Sequence, residues 1–231
     1  MITNNIIGRT YFISINDDEG SSFTLEHNDI QYLITAKHVI DSLNFKNGDN
    51  IEINISYDEK WHKLKCVAYQ HHDPGIDIVV LKLEKPTFPQ YPISFVMENL
   101  YYGGDVFFLG FPYGMFTKDD SKINNKFPLP FVKKGILSAM QREFSITTLY
   151  LDAHNNNGFS GGPVITLNQK KEVSIVGVNV SYIKHEKYLN IEESDEDGEL
   201  FEKQVDYFEN SGIMEAQGIN HVFEILEQNK L

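Results

Sequence analysis

Ser160 lies in the stretch NNNGFSGGPVI, Asn155 to Ile165, with Gly158, Gly161 and Gly162 around it. A serine in so side-chain-poor a loop is either turn filler or a nucleophile whose surroundings are kept clear. Serine attacks poorly until a base removes its proton, and the base needs an anionic partner to hold its tautomer and to stabilise the imidazolium. Two arrangements compete for such a serine. Gly158, Ser160 and Gly162 satisfy G-x-S-x-G, the strand-to-helix elbow of the α/β-hydrolases, in which the acid and the histidine come after the serine in the chain. The adjoining residues GGPVITL make a poor helix and a good strand, because proline and β-branched residues disfavour the helix. Only His185 and His221 lie downstream. The other order needs a histidine and then an aspartate upstream, each at a strand end. YLITAKHVID supplies His38 just after an apolar strand, and HHDPGIDIVVLKL supplies Asp77 at the start of another. Asp73 is the alternative acid, four residues too early for the strand register, so Asp77 is preferred.

These side chains must be held by strands. The segments TYFISI, SFTLE, QYLIT, NIEINISY, KLKCVAY and DIVVLKL are rich in β-branched and aromatic residues and are punctuated by Gly, Asn and Asp. That pattern predicts antiparallel strands. After EKPTFPQYPIS, where prolines interrupt the pattern, a second set begins: DVFFLGF, KKGILSAMQ, SITTLYLDA, GPVITL, VSIVGVNVSYI and GIMEAQGI. The expected fold is all-β, two six-stranded antiparallel barrels with a short C-terminal helix. The N-terminal barrel (1–90) would carry His38 and Asp77, and the C-terminal barrel (91–231) Ser160. The helix is expected over 220–229, with Asn220 as N-cap and Val222, Ile225 and Leu226 as its apolar stripe. Before it, residues 184–210 form an acidic insertion; Ile191 to Glu202 alone holds seven acids and no base and reads as a solvated loop.

The 231 residues are 41% hydrophobic, enough for a sizeable core, and carry a formal net charge of −13. Such a charge repels a phosphate backbone, which argues against nucleic acid and for a polypeptide partner. No run of about 18 apolar residues and no basic-then-apolar leader appears. With one cysteine, Cys66, and so no internal disulfide, the expectation is a cytoplasmic chain away from membranes. His71 and His72 are adjacent and point in opposite directions along an extended chain, so no metal site is expected.

TAKH, DIVVL and GFSGGP resemble, in order and spacing, the T-A-x-H, D-I-x-x-L and G-x-S-G-G-P motifs of the chymotrypsin-fold serine proteases. GSSFTL, FLGFPYG, KKGILSA, LDAHNNNGFSGGPVI and GINHVFEIL look like the HtrA-type branch, so the likeness runs from about Gly8 to Leu226. It implies a serine endopeptidase with Ser160 as nucleophile, His38 as base and then acid, Asp77 as orienting carboxylate, and the N–H groups of Gly158 and Ser160 as oxyanion hole. No cofactor or metal would be needed. By the same resemblance His154 would fall at the floor of the primary specificity pocket, the plainer alternative being a solvated loop histidine, and Asn179, Val180 and Ser181 would form the wall that pairs with an extended substrate. HtrA-type members usually carry a C-terminal PDZ domain; after Leu226 this sequence leaves no room for one, so a protease domain without it is expected.

Phe159 departs from the pattern. Digestive-type members have there an aspartate that pairs with a newly cut N-terminus, and HtrA-type members commonly have asparagine. A bulky apolar group is expected to pack beneath the loop and hold it open; the other reading is a loop collapsed until a regulatory protein partner binds. The acidic insertion would border the cleft and gate it or recruit a basic partner. A protease-fold binding or scaffold protein with an unused triad is the rival function, and the oligomeric state stays open.

Overall fold

The computed structural model describes residues 4–16, 18–117, 124–168, 172–194 and 200–231. After a single helical turn, α1 (Asn4–Ile7), six strands form the first unit: β1 (Thr10–Ile15), β2 (Asp18–His27), β3 (Ile30–Ala36), β4 (Asp49–Tyr57), β5 (Lys60–Gln70) and β6 (Ile78–Leu83). They close a barrel in the order β1-β2-β3-β6-β5-β4, all pairs antiparallel. These are the six strands expected from the sequence.

β3 and β6 are buried on both faces, which explains their near-continuous apolar runs. Leu33, Val79 and Leu81 point into the barrel with Ile13, Ile53 and Ala68. Tyr32, Ile34, Ile78 and Val80 point out of it, against the second unit and the terminal helix.

The second unit is a seven-stranded sheet. Its strands are β7 (Ser94–Phe95), β8 (Asp105–Gly110), β9 (Phe131–Glu143), β10 (Ile146–Asp152), β11 (Pro163–Leu167), β12 (Val173–Ser194) and β13 (Leu200–Gly218), in the order β11-β8-β9-β10-β13-β12-β7. β11 pairs with β8 and also with β12. The short β7 adds in parallel beside β12. The sequence expectation of six strands here missed β7, whose two residues are too few to show a period.

The acidic stretch is not a simple loop. β12 and β13 run on together from Gly177↔Gly218 to Ser194↔Leu200, so residues on both sides of 195–199 are paired strands; the acidic core 195–199 itself lies outside the described residues. Backbone pairing overrides the composition, because alternating Tyr, Leu, Ile, Val and Phe along both segments suit a ribbon.

The terminal helix, α2 (Asn220–Gln228), packs Val222, Ile225 and Leu226 into the core shared by both units. Asn220 is not its N-cap. Ile219 already has helical angles (φ −62°, ψ −20°), so the turn starts directly from β13 and Asn220 becomes the first helical residue, donating from its amide to Glu224 at 2.9 Å.

Candidate active site

The last pair between the neighbouring strands β3 and β6 is Ala36↔Ile78, so the residues just beyond it, His38 and Asp77, meet at one barrel rim. His38 sits in a tight turn, Lys37–Val39. The Asp77 carboxylate grips it twice, accepting from the His38 backbone N–H at 2.9 Å and from the ring Nδ1 at 2.6 Å. An acceptor at that distance holds a proton on Nδ1, so that in the neutral ring Nε2 carries the lone pair that a general base requires. Burial works against the charged ring, but the hydrogen bond and charge of Asp77, with smaller help from Asp41 and Asp18, outweigh it and hold His38 above its ordinary pKa. Asp73 is occupied elsewhere: its Oδ1 accepts from Gly75 N–H at 2.9 Å, within its own turn.

Asp77 is itself held across the units. Its backbone N–H donates to Gln217 Oε1 at 2.8 Å, and Gln217 Nε2 donates to Gly75 O at 2.8 Å. Sequence reasoning passed over Gln217, since nothing in GIMEAQGI marks it as facing a loop 140 residues earlier.

The serine loop is tied on both sides. Ser160 O accepts from Ser21 N–H at 2.8 Å, Gly161 N–H donates to Asn179 O at 2.8 Å, and Asn179 N–H donates to Gly162 O at 2.9 Å. Ser21 Oγ donates to Gly158 O at 2.6 Å and accepts from Phe111 N–H at 3.0 Å. Ser21 also escaped the sequence reading; the only signal was its place in GSSFTL. Gly158 (φ +96°) and Gly161 (φ +84°) lie in the left-handed region that favours glycine. A β-carbon on Gly158 would run into the Phe111 carbonyl oxygen, and one on Gly161 into Ser21 O and Thr35 Oγ1. The backbone N–H groups of Gly158 and Ser160 have no acceptor among the described residues.

Phe159 is fully buried beneath this loop. Its ring meets Phe108 edge-on at 5.1 Å, and Lys133 Nζ lies 5.2 Å from its centroid. Gly110 leaves the room it fills, as a β-carbon there would come within 2.7 Å of Phe159 Cδ1. Lys133 donates to His154 O at 2.7 Å and to Asn156 Oδ1, closing the loop from the outer side.

His38, Asp77 and Ser160 line one pocket of about 300 Å³ with Asn155, Asn156, Asn157, Val180, Ser181, Tyr182 and Lys184. No hydrogen bond joins Ser160 to the His38 ring among the described residues; such contacts tighten when substrate binds. His154 does not line the pocket. Beyond β10 the chain alternates, with Ala153 and Asn155 buried and His154 exposed, so the inward residue is Asn155. Asn155 exchanges amide hydrogen bonds with buried Asn179 (3.1 and 3.0 Å) and donates to Ser181 O at 3.1 Å. Of the expected wall, Val180 and Ser181 line the pocket, while Asn179 backs it through Asn155. Cys66 is no rival nucleophile, because burial pushes its thiol up to about 12. Among the described residues no group of His, Cys, Asp and Glu could hold a metal ion.

The model of the trypsin-like peptidase domain matches residues 20–178, which include His38, Asp77 and Ser160. The chain belongs to the trypsin-like peptidase family. A probable periplasmic serine endoprotease, DegP-like, of Rickettsia conorii is 28% identical over an alignment of 176 positions that covers 70% of this chain and 28% of that protein, so the chain spans less than a third of that relative. Among solved structures, the serine endoprotease from Yersinia pestis superposes with a TM-score of 0.59 at 21% identity, over 99% of this chain and 67% of that one. An HtrA-type protease with a tripeptide gives 0.59 at 16% identity, over 98% and 63%. These likenesses show an all-β chymotrypsin-like fold with structural neighbours among the HtrA-type proteases.

Proposed function

We propose that the trypsin-like peptidase domain described here is a working serine endopeptidase. The observation that carries the reading is the two-point grip of Asp77 on His38 in a pocket that Ser160 also lines. In this reading Ser160 Oγ attacks the scissile carbonyl carbon as His38 Nε2 takes its proton. The oxyanion is met by the N–H groups of Gly158 and Ser160, each worth about 10²–10³ in rate. Collapse breaks the C–N bond, the leaving amine takes the proton from His38, and water then hydrolyses the acyl-enzyme with His38 again as base. Buried Phe159 supports a loop held ready for catalysis, with a regulatory partner acting on the neighbouring hairpin.

The reading keeps two units, 1–90 and 91–231, with the second sheet acting as the second barrel through the double pairing of β11. It also keeps the chain in a reducing compartment, the cytoplasm, where buried Cys66 stays a thiol. Among the described residues no helix is long and apolar enough to cross a membrane.

A fluorophosphonate probe tests the activity. Wild type is expected to label and Ser160→Ala to stay unlabelled. If labelling does not depend on Ser160, or is absent even with cell lysate added, the chain is a protease-fold binding protein and the proposal fails.

A further inference from the structure

The ribbon formed by the distal parts of β12 and β13 continues directly from the catalytic pocket. Tyr182 and Lys184 line that pocket, and the strand that holds them runs on to Ser194. From Val180 onward β12 pairs with no strand but β13, and from Leu200 to Asn210 β13 pairs with none but β12. Both outer edges and both faces of the ribbon are therefore open, and an isolated two-stranded ribbon is only marginally stable by itself.

Residues directly opposite each other in an antiparallel pair share a face. The face that starts at Lys184, opposite Asn210, continues with Glu186 opposite Phe208 and Tyr188 opposite Asp206. Phe208 is 63% exposed and Tyr188 58% exposed. Glu186 and Asp206 are exposed and form no ion pair among the described residues. On the opposite face the cations are already taken, Lys187 by Glu209 at 2.6 Å and Lys203 by Glu193 at 3.1 Å. The pocket-side face thus alternates exposed aromatic rings with carboxylates that no lysine holds. Both groups favour one kind of guest, since a ring face and a carboxylate each attract a lysine or arginine head. Lys184 illustrates the chemistry, with its Nζ 6.0 Å from the Phe208 ring centroid.

Resting on the peptidase reading for what occupies the pocket, we infer that this face is a substrate exosite that takes a lysine- and arginine-rich, extended segment of the same polypeptide whose bond lies at Ser160. Continuity with the pocket sets the spacing. Lys184 to Tyr188 is four residues, about 13 Å at ~3.3 Å per residue, so the basic segment lies about four residues beyond the part of the substrate that meets Lys184. Charge selects the guest over a second copy of the chain: residues 184–210 hold ten acids and three bases, a net of −7, and two such ribbons repel each other.

Binding is read without turnover, by fluorescence anisotropy of the Ser160→Ala chain with two labelled extended peptides, one with alternating lysine and arginine and its glutamine-substituted twin. The basic peptide is expected to bind about tenfold more tightly at low salt, an advantage that shrinks as salt is added. The double variant Glu186→Gln/Asp206→Asn and, separately, Tyr188→Ser/Phe208→Ser are each expected to remove most of that advantage. Equal affinity for the two peptides, or an advantage untouched by both double variants, overturns the inference. So does a dimer that the same variants dissociate in the absence of peptide preference, which would assign the face to a second copy. Tight binding of the basic peptide by a chain that shows no Ser160-dependent labelling would sink the peptidase reading while leaving the exosite standing.

Discussion

Asp77 decides how His38 is protonated, and the consequence is a pH profile. Burial alone would lower the imidazole, yet the Asp77 hydrogen bond and charge prevail and raise it. The base works only when neutral, so cleavage or probe labelling should rise with pH through a limb lying above pH ~6.5, the ordinary histidine value. Asp77→Asn removes the dominant raising group. The limb should then move to lower pH while the plateau rate falls by about 10⁴, as expected when a triad base loses its preferred tautomer. A rate profile in which Asp77→Asn left the limb in place would contradict the arrangement. At this scale the sequence was legible for the residues whose chemistry is unusual for their setting: a serine among glycines, and a histidine and an aspartate at the ends of apolar strands. It was silent on Ser21 and Gln217, ordinary polar residues whose importance comes only from partners 137 and 140 residues away.

The element that presents Ser160 depends on backbone shape more than on side chains. Gly158→Ala would force a β-carbon against the Phe111 carbonyl at φ +96°. The loop would have to re-form, and Ser160 labelling is expected to drop by about 10² or more, the worth of one oxyanion donor, with circular dichroism nearly unchanged. Ser21→Ala would leave the buried Phe111 N–H and the Gly158 carbonyl without their partner. A cost of about 1–3 kcal/mol in denaturant unfolding is expected, together with slower labelling; an unchanged stability would show that the bridge contributes nothing. Strands such as TYFISI and IVVLKL were readable because burial imposes a period of two, or a continuous apolar run, on the chain. The distal ribbon was misread as a loop because its acids dominate the composition, whereas strand pairing is a backbone property that solvated side chains do not forbid. Of the two readings of His154, the pocket floor and the solvated loop, the exposed position agrees with the second, and Asn155 turns inward instead, because which residue of an alternating segment does so depends on where the preceding strand ends.

Across the whole molecule, one core joins the two units. Phe23, Tyr32, Ile34 and Val80 of the barrel meet Ile165, Ile175 and Val178 of the sheet and Val222, Ile225 and Leu226 of α2. A single cooperative thermal transition is the consequence, to be checked by calorimetry; two separated transitions would show that the units do not share stability. Ile225→Ala should cost about 2–5 kcal/mol and lower that one transition as a whole. Replacing residues 186–208 by a tight turn should shift the midpoint by only a few degrees, because none of the ribbon's described residues belongs to this core, and should leave short-peptide cleavage intact.

The sequence by itself determined the six strands of the barrel, the apolar stripe of the terminal helix, and the order His38, Asp77, Ser160, because burial and reactivity leave local marks in residue type and spacing. Only the tertiary structure decided that Asn155 rather than His154 faces the pocket, that Ser21 and Gln217 hold the serine and aspartate loops, and that Phe159 fills the space left by Gly110. It also decided that the segments on either side of 195–199 pair as a ribbon beside the site. Each of these depends on which distant backbone groups come within hydrogen-bonding or packing distance, and that is settled by how the barrel and the sheet close on their shared core.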